Sequence, residues 1–296
     1  MSTRSHNASY GGSYKSYNMS QPLVHLVVIL MSLAWVLPTL GLLTSSVRTP
    51  QAVANSGWWT IFLNPLDFTQ LTLDNYRQVL GQTGMVRGFL NSLAITLPAT
   101  FLPMLFGAFA AFAFAWLDFP GRKTLFLVVV GLLVVPLQIS LIPILRLYSK
   151  TGLAGTFTAI WLAHTAYGLP FSVYLLRNFF GSLPGELFEA AYIDGASPAT
   201  AFFRLALPMS GAALASLGIF QFLWVWNDLL IALIYLGGSS SVAPLTLVLS
   251  SLVGSYGQQW HVLTAAAFVT MVVPLVVFFS LQKYFVRGVL AGSIKG

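Results

Sequence analysis

The sequence predicts an all-α membrane protein with six transmembrane helices. Only 7% of its residues are charged and 57% are hydrophobic, whereas about a quarter of the residues of a soluble domain are charged. The hydrophobic residues are gathered in long runs, and a helix needs about 20 such residues to cross the hydrocarbon core of a bilayer. Most of the surface of the folded chain is therefore expected to face lipid, and the bilayer is its first predicted partner.

Six apolar runs define the predicted spans. They lie at residues 23–43, 89–117, 125–145, 157–176, 210–236 and 262–285. The first run is too long for the apolar core of a signal peptide and five more runs follow it, so we interpret it as a retained span. The polar residues 1–21, rich in Ser, Tyr, Gly and Asn, are predicted to form a disordered tail. Residues 22–296 are predicted to form one transmembrane domain.

The composition excludes several classes of function. The chain has no cysteine, which rules out disulfides, thiolate metal sites and cysteine catalysis. Its four histidines are scattered, and no phosphate-binding glycine loop occurs. We therefore expect no catalytic residue, no bound metal and no cofactor on this chain. The net charge of +7 comes from basic residues that flank the apolar runs, without a basic cluster interleaved with aromatic residues, so no nucleic-acid partner is expected.

The distribution of Lys and Arg predicts the orientation of the spans, because cytoplasmic loops carry an excess of these residues. With the amino terminus inside, most of the 14 basic residues fall on the inner side. Six spans then place both termini in the cytoplasm. The same orientation makes residues 49–87 a long outer connection and residues 181–203 a cytoplasmic loop.

The predicted cytoplasmic loop is acidic, although the chain as a whole is basic. Residues 181–203 contain Glu186, Glu189 and Asp194 but no Lys or Arg, and the whole chain has only 7 acidic residues. An ordinary cytoplasmic loop is expected to carry Lys and Arg instead. Because Pro184 suits the start of a helix, the two glutamates fall in early turns, where the helix dipole favours negative charge. The loop is thus predicted to be a docking element.

Turn residues within this loop predict two short helices joined by a glycine, a helix–glycine–helix elbow at residues 182–207. Gly195 is a natural left-handed cap for the first helix. Ser197 and Pro198 suit the N-cap and first position of the second. Pro208 is expected to force Leu207 out of helical geometry before the fifth span begins.

The elbow sequence EAAYIDGASPATAFFRLALP resembles the EAA loop of the membrane subunits of ABC importers. The matching positions are Glu189, Ala190, Ala191, Asp194, Gly195, Ala196, Phe202, Leu207 and Pro208. Many members of that family carry a second proline four residues after the first, and this chain has Ala212 there.

Further stretches narrow the resemblance to the MalG-like permease subunits of carbohydrate ABC importers. FLNSLAIT, LIPILRLYSKTGLAGT, FQFLWVWNDLLIALIYL and the closing LQKYFVRGVLAGSIKG all resemble that group, and the similarity extends from residue 23 to the end of the chain. The outer stretch SGWWTIFLNPLDFTQLTLDNYRQVL resembles the permeases for alpha-glucosides and glucosylglycerol.

The resemblance implies a transport subunit rather than an enzyme. Two copies of a cytoplasmic ATPase subunit would use ATP and Mg, and the elbow would insert into a cleft on one of them. Closure of the ATPases would tilt the spans from inward-open to outward-open. A second, MalF-like permease and an extracytoplasmic solute-binding protein would complete the importer. The residues implied to couple this chain to the ATPase are Glu186, Glu189, Ala190, Ala191, Asp194, Gly195, Ala196, Phe202 and Pro208.

Candidate contacts with the transported sugar lie in the fifth run. Asp228 is the only acid well inside an apolar run, Asn227 adjoins it, and Trp224 and Trp226 are close by. Carboxylates and amides exchange hydrogen bonds with hydroxyl groups, and indole faces stack on sugar rings. Gln138, in the third run, is a further polar candidate. The alternative is that Asp228 forms a structural hydrogen bond between helices or a gate near the outer end of the span.

Two other functions use the same features. One is an ABC importer permease for a solute that is not a sugar, since the EAA loop is shared among importers; the carboxyl-terminal similarity argues against it. The other is a stand-alone secondary transporter, which needs ion-coupling residues inside the membrane. Asp228 alone gives that alternative little support, and it leaves the elbow without a role.

Overall fold

In the computed structural model the chain is almost entirely helical over the residues that the structure describes, 21–256 and 259–293. The predicted tail at 1–21 lies outside these residues, except for Gln21, which begins the first helix. The helices are α1 (Gln21–Ser46), α2 (Pro50–Asn55), α3 (Thr60–Leu63), α4 (Asp74–Gln82), α5 (Met85–Trp116), α6 (Arg122–Gly131), α7 (Leu137–Thr151), α8 (Phe157–Phe180), α9 (Gly185–Ile193), α10 (Pro198–Ala201), α11 (Leu207–Met209), α12 (Gly211–Trp226), α13 (Leu230–Leu236), α14 (Leu245–Ser255) and α15 (Trp260–Ser293). Within the described part of the chain, β-pairing amounts to one isolated bridge between Arg48 and Leu71.

The helices confirm a six-span all-α architecture, with two of the spans broken. Four helices are long and apolar enough to cross a membrane without interruption: α1, α5, α8 and α15. Two bent pairs, Arg122–Val134 with Leu137–Thr151 and Pro198–Met209 with Gly211–Trp226, bring the number to six when each pair counts as one span. Apolar side chains cover the outside of this bundle, as lipid requires, and Trp35 on α1 is 80% exposed.

The third run, predicted as one straight span at 125–145, is bent by 97°. The segment Arg122–Val134 ends before Pro136, which is extended and caps α7. Proline cannot donate a backbone hydrogen bond and disfavours helical geometry in the residue before it. Val135 has accordingly left the helix, with φ −74° and ψ 117°.

The fifth run, predicted as one span at 210–236, is also interrupted. Helix α12 ends at Trp226, and α13 begins at Leu230. Between them, both carboxylate oxygens of Asp228 accept backbone hydrogen bonds from α13, from Ile231 N at 3.2 Å and from Ala232 N at 3.0 Å. Asn and Asp favour such local caps over helix interiors, which explains a break inside an apolar run.

The connection after α13 is exposed at residues 237–241 and buried at Ala243 and Pro244, and α5 supplies hydrogen bonds to it. Asn91 Nδ2 donates to the carbonyls of Ser241 and Ala243, at 3.1 and 3.0 Å. Ser92 Oγ accepts from Leu245 N at 2.8 Å. Irregular backbone at membrane depth is tolerated only where protein groups or water satisfy it. These two polar residues of α5 meet that requirement and seat α14, a short helix that the sequence did not predict.

The outer connection is organised around a buried arginine. Arg48 is fully buried, and its guanidinium donates to Gly57 O at 3.0 Å, to Ser56 Oγ at 2.6 Å and to Gln70 Oε1 at 3.1 Å. Asn75 Nδ2 donates to the Arg48 carbonyl at 2.8 Å, which ties α4 to the end of α1. Neutral oxygens thus accept from both terminal nitrogens of the guanidinium, while its buried Nε has no hydrogen-bond partner among the described residues.

The centre of the bundle is the contact between α5 and α8, the most extensive between any two helices described. Small residues allow the close approach, as is common between membrane helices. A Cβ added at Gly107 would lie 2.6 Å from the Ser172 Cβ. The two helices also end side by side, where Trp116 Nε1 donates to Phe180 O at 3.1 Å. This common end of α5 and α8 is where the acidic elbow sits.

Candidate functional site

The first half of the elbow is α9, which the sequence predicted and the structure confirms in outline. Pro184 is the N-cap rather than a residue of the first turn. The helix closes in a glycine cap: Gly195 has φ +82°, its N–H donates to Tyr192 O at 3.1 Å, and Ala196 N donates to Ala191 O at 2.9 Å. This pair of bonds is the Schellman arrangement, which requires a left-handed residue at the glycine position.

The second half of the elbow begins as predicted and ends differently. Ser197 Oγ accepts from Thr200 N at 3.2 Å, and Pro198 is the first residue of α10. The expectation that Leu207 leaves helical geometry is wrong, because Leu207 has φ −66° and ψ −48°. A π-helical turn over Phe202–Ala206 precedes Pro208 and accommodates its ring by widening the helix. The chain leaves the helix only at Ser210, and the adjoining segments meet there at 75°.

Two buried phenylalanines fix the elbow to the bundle. Phe188 of α9 is 1% exposed and stacks on Trp116 with the ring centroids 3.9 Å apart. Phe202 is also buried and packs against Phe112 and Phe109, at 5.3 and 4.9 Å between centroids. Both therefore belong to the core cluster formed at the ends of α5 and α8. The elbow is thus packed directly against the ends of these two spans.

The opposite side of the elbow is exposed, and it is where the acids lie. Glu186, Glu189 and Asp194 are exposed, and none of them forms an ion pair with a residue whose side chain the structure describes. Two apolar side chains of α9 are exposed among them, with Leu187 at 44% and Ile193 at 86%. The small residue Ala190 is exposed as well. Acidic groups around exposed apolar side chains are a suitable surface for a protein partner with basic rim residues.

The pathway candidates of the fifth run divide into packed and exposed residues. Trp226 is 3% exposed, stacks on Phe222 and donates its indole N–H to Thr270 O at 3.1 Å. Asp228 caps α13, and its Oδ2 lies 3.7 Å from Nε2 of the fully buried His164. These contacts give both residues a role in holding the broken span together.

The remaining candidates are open to their surroundings. Trp224 is 36% exposed, and its ring meets that of His164 edge-on at 5.2 Å. Asn227 is exposed and donates to Leu223 O at 2.7 Å. Gln138 is exposed in the first turn of α7. Among residues whose side chains are described, no group of three or more His, Asp or Glu could hold a metal.

The structure adds residues that the sequence analysis did not single out. Phe188 is one, since an aromatic residue in an acidic loop gives by itself no sign of burial. Tyr167 is another: its hydroxyl is within 2.8 Å of Ser140 Oγ and 2.9 Å of the Tyr235 hydroxyl, which links α8 to α7 and to α13. The spacing of Tyr167 and Phe171 on one face of a helix could have indicated a shared surface with Trp224.

The described residues thus form a bundle of membrane spans with a glycine-capped acidic elbow at one end. A family model described as "Binding-protein-dependent transport system inner membrane component" matches residues 103–291. The chain belongs to this family, and it is a multi-pass membrane protein and a transport component rather than an enzyme.

Curated relatives support this assignment over nearly the whole chain. It is 58% identical over 272 residues to the "Osmoprotective compounds uptake permease protein GgtD" of Synechocystis sp., covering 92% of this chain and 91% of the relative. It is 42% identical to the "Alpha-glucoside transport system permease protein AglG" of Rhizobium meliloti, covering 92% and 97%. The resemblance to permease subunits of carbohydrate ABC importers is thereby confirmed.

The fold is also that of a solved importer. A crystal structure of a bacterial ABC transporter involved in the import of alginate matches with a TM-score of 0.73 and 19% identity, covering 92% of this chain and 99% of that one. A second structure, of an alginate ABC transporter in complex with an alginate-pentasaccharide-bound periplasmic protein, matches with a TM-score of 0.65 and 16% identity, covering 89% and 94%. At this identity the likeness concerns the fold.

Proposed function

We propose that this chain forms half of the translocation pathway of an ATP-driven importer of glucosides in a bacterial inner membrane, with alpha-glucosides and glucosylglycerol as the favoured cargo. The name of GgtD refers to osmoprotective compounds, and the name of AglG refers to alpha-glucosides. The similarity to each relative extends over 92% of this chain. The importer would contain a second, MalF-like permease, two ATPase subunits and an extracytoplasmic solute-binding protein.

The elbow is the coupling element in this proposal, and its geometry is the observation that carries it. One side of α9 is locked into the core by Phe188, while Glu186, Glu189 and Ile193 on the other sides are exposed. In the proposed orientation both termini and the elbow are cytoplasmic. The acids would meet basic or donor groups in a cleft of the ATPase, and the ATPase would bind and hydrolyse ATP with Mg. Movement of the docked elbow would tilt α5 and α8.

Purification of the tagged chain from its native membrane tests the proposal. Mass spectrometry is expected to identify an ATPase, a second multi-span protein and a solute-binding protein in stoichiometric amounts. A chain that purifies alone would instead favour a secondary transporter. An importer whose binding protein releases a ligand other than a sugar would refute the cargo and leave the coupling role intact.

Charge removal on the elbow tests the coupling surface separately. Replacing Glu189 and Asp194 by Ala is expected to weaken retention of the ATPase subunit, while the protein still inserts in the membrane. The matched control is Asp118→Ala. Asp118 is also an exposed acid, and it pairs only with Arg122 at 2.9 Å, an exposed contact of small energetic value. Equal retention in all the variants would refute the acidic docking surface.

A further inference from the structure

The middle of the bundle carries a second feature that the coupling elbow does not use, a groove between α8 and α12. It is lined by Tyr167, Gly168, Phe171, Phe220, Gln221 and Trp224, and is called here the aromatic groove. The groove is open on one side and has a volume of about 320 Å³, at the lower end of the range of about 300–1,000 Å³ that is usual for small-molecule sites.

The groove lies near the centre of the membrane. Gly168 is 11 residues from Phe157 and 12 residues from Phe180, the two ends of α8. At about 1.5 Å per residue, this places the groove close to the midpoint of the span. Its α12 wall ends at the break before α13, three residues after Trp224. Transporters commonly bind substrate near the midplane, where a helix is discontinuous.

Three exposed aromatic rings form the walls of the aromatic groove. Phe171, Phe220 and Trp224 are 36%, 44% and 36% exposed. Phe171 and Phe220 meet edge to face at 6.4 Å between centroids. The edge-on contact between Trp224 and His164 holds the indole in place. Large aromatic faces held in fixed orientations offer contact area at little cost in side-chain entropy.

Two polar residues, the half-buried Tyr167 and the buried Gln221, lie at the base of the otherwise apolar groove. The Tyr167 hydroxyl belongs to the network with Ser140 and Tyr235 described above. The Gln221 amide donates to Ala99 O at 3.3 Å and lies so close over the α8 backbone that a Cβ at Gly168 would be 2.5 Å from its Nε2. An acyl chain makes no use of a hydroxyl or an amide, whereas a sugar uses both together with aromatic faces.

We infer that the aromatic groove contacts the glycoside during transport, with Trp224 and Phe171 packing on the sugar ring and Tyr167 and Gln221 meeting its hydroxyl groups. The inference rests on the proposed function. It adds that this permease subunit, and not its partner alone, contacts the transported sugar and contributes to specificity. Trp224, a pathway candidate of the sequence analysis, is thereby placed in a defined surface together with α8.

Uptake by the complete importer in proteoliposomes tests the inference, with radiolabelled glucosylglycerol and maltose as probes. Trp224→Ala is expected to lower the maximal uptake rate by about threefold to tenfold. The half-saturating concentration is expected to change little, because the binding protein captures the solute first. Trp224→Phe should recover most of the rate, and Tyr167→Phe should change the ratio of the rates for the two sugars.

Trp35→Ala on α1 is the matched control, since it removes an indole that is 80% exposed and lies outside the groove. Rates for Trp224→Ala equal to wild type would overturn the inference, as would an equal loss for Trp35→Ala, which would indicate lipid packing. Stimulation of ATP hydrolysis by the sugar-loaded binding protein distinguishes a failure of the proposed function from a failure of the groove inference. A wild-type complex that shows no sugar-dependent stimulation refutes the proposed function, whereas normal stimulation with unaffected variants refutes the groove alone.

Discussion

Replacement of Gly195 tests whether the elbow works as a joint of fixed angle. Its φ of +82° lies in the left-handed region, and a Cβ there would meet no atom within 4 Å. The cost of Gly195→Ala is therefore conformational and not steric. Left-handed geometry costs a residue with a side chain about 1–2 kcal/mol, which corresponds to a factor of about 5–30 in the ratio of formed to unformed elbow.

A graded series separates the angle from other effects. Gly195→Asn should lower the affinity for the ATPase subunit less than Gly195→Ala does, because Asn tolerates the left-handed region better. Gly195→Pro should lose most, since it fixes φ near −65° and removes the N–H that donates to Tyr192 O. Gly185→Ala is the matched control. Gly185 is also unobstructed but is the first residue of α9 and has no left-handed geometry, so alanine is tolerated there without backbone strain.

The assay is the affinity of the ATPase subunit for the permease pair in nanodiscs, measured together with sugar-stimulated ATP hydrolysis. We expect the affinity to fall in the order glycine, asparagine, alanine, proline, and to be unchanged or slightly higher for Gly185→Ala. An affinity of Gly195→Ala within twofold of wild type would refute the fixed-angle joint, because the conformational cost alone predicts a larger change.

Two further predictions concern the bundle. Gly107→Ala should destabilise the purified complex by about 1–3 kcal/mol in thermal unfolding, because its Cβ would lie 2.6 Å from the Ser172 Cβ. Gly218→Ala is the control and should have little effect, since the nearest atom to its Cβ is Met104 Cε at 3.5 Å. Equal melting temperatures for the two variants would contradict the close α5–α8 contact. Asp228→Ala should cost about 1 kcal/mol of stability by uncapping α13, and Asp228→Asn less; a strong loss of uptake in Asp228→Asn at unchanged stability would instead give the carboxylate a direct role in transport.

The positions of the spans and most of the elbow could be predicted from the sequence, for a different reason in each case. Long apolar runs have few alternatives to membrane helices, so the run at 157–176 is found again as α8. The elbow was predictable because its turn residues have narrow conformational preferences: Gly195 takes the left-handed region, and Ser197 caps α10. In both cases the structure follows from residues that are close together in the sequence.

Breaks within apolar runs could not be predicted from hydropathy, because they depend on where hydrogen-bond partners lie in the folded chain. Asp228 interrupts the fifth run by bonding two backbone groups of α13. The short helix α14 exists because Asn91 and Ser92, about 150 positions earlier in the chain, satisfy the connection before it. Leu207 stays helical because the π-turn after Phe202 relieves the proline.

Helix α8 connects the proposed joint to the proposed groove, and this connection suggests how the two act together. The elbow is bound to the carboxyl-terminal ends of both helices through Phe188 and Phe202, and the aromatic groove lies about half a helix length away, on α8 itself. A tilt of α8 driven from the elbow would therefore shift Tyr167 and Phe171 relative to the α12 wall. The groove would change its fit to the sugar in the same movement that switches the pathway between outward-open and inward-open, so that capture and release of the sugar are coupled to the ATPase cycle without a separate gate.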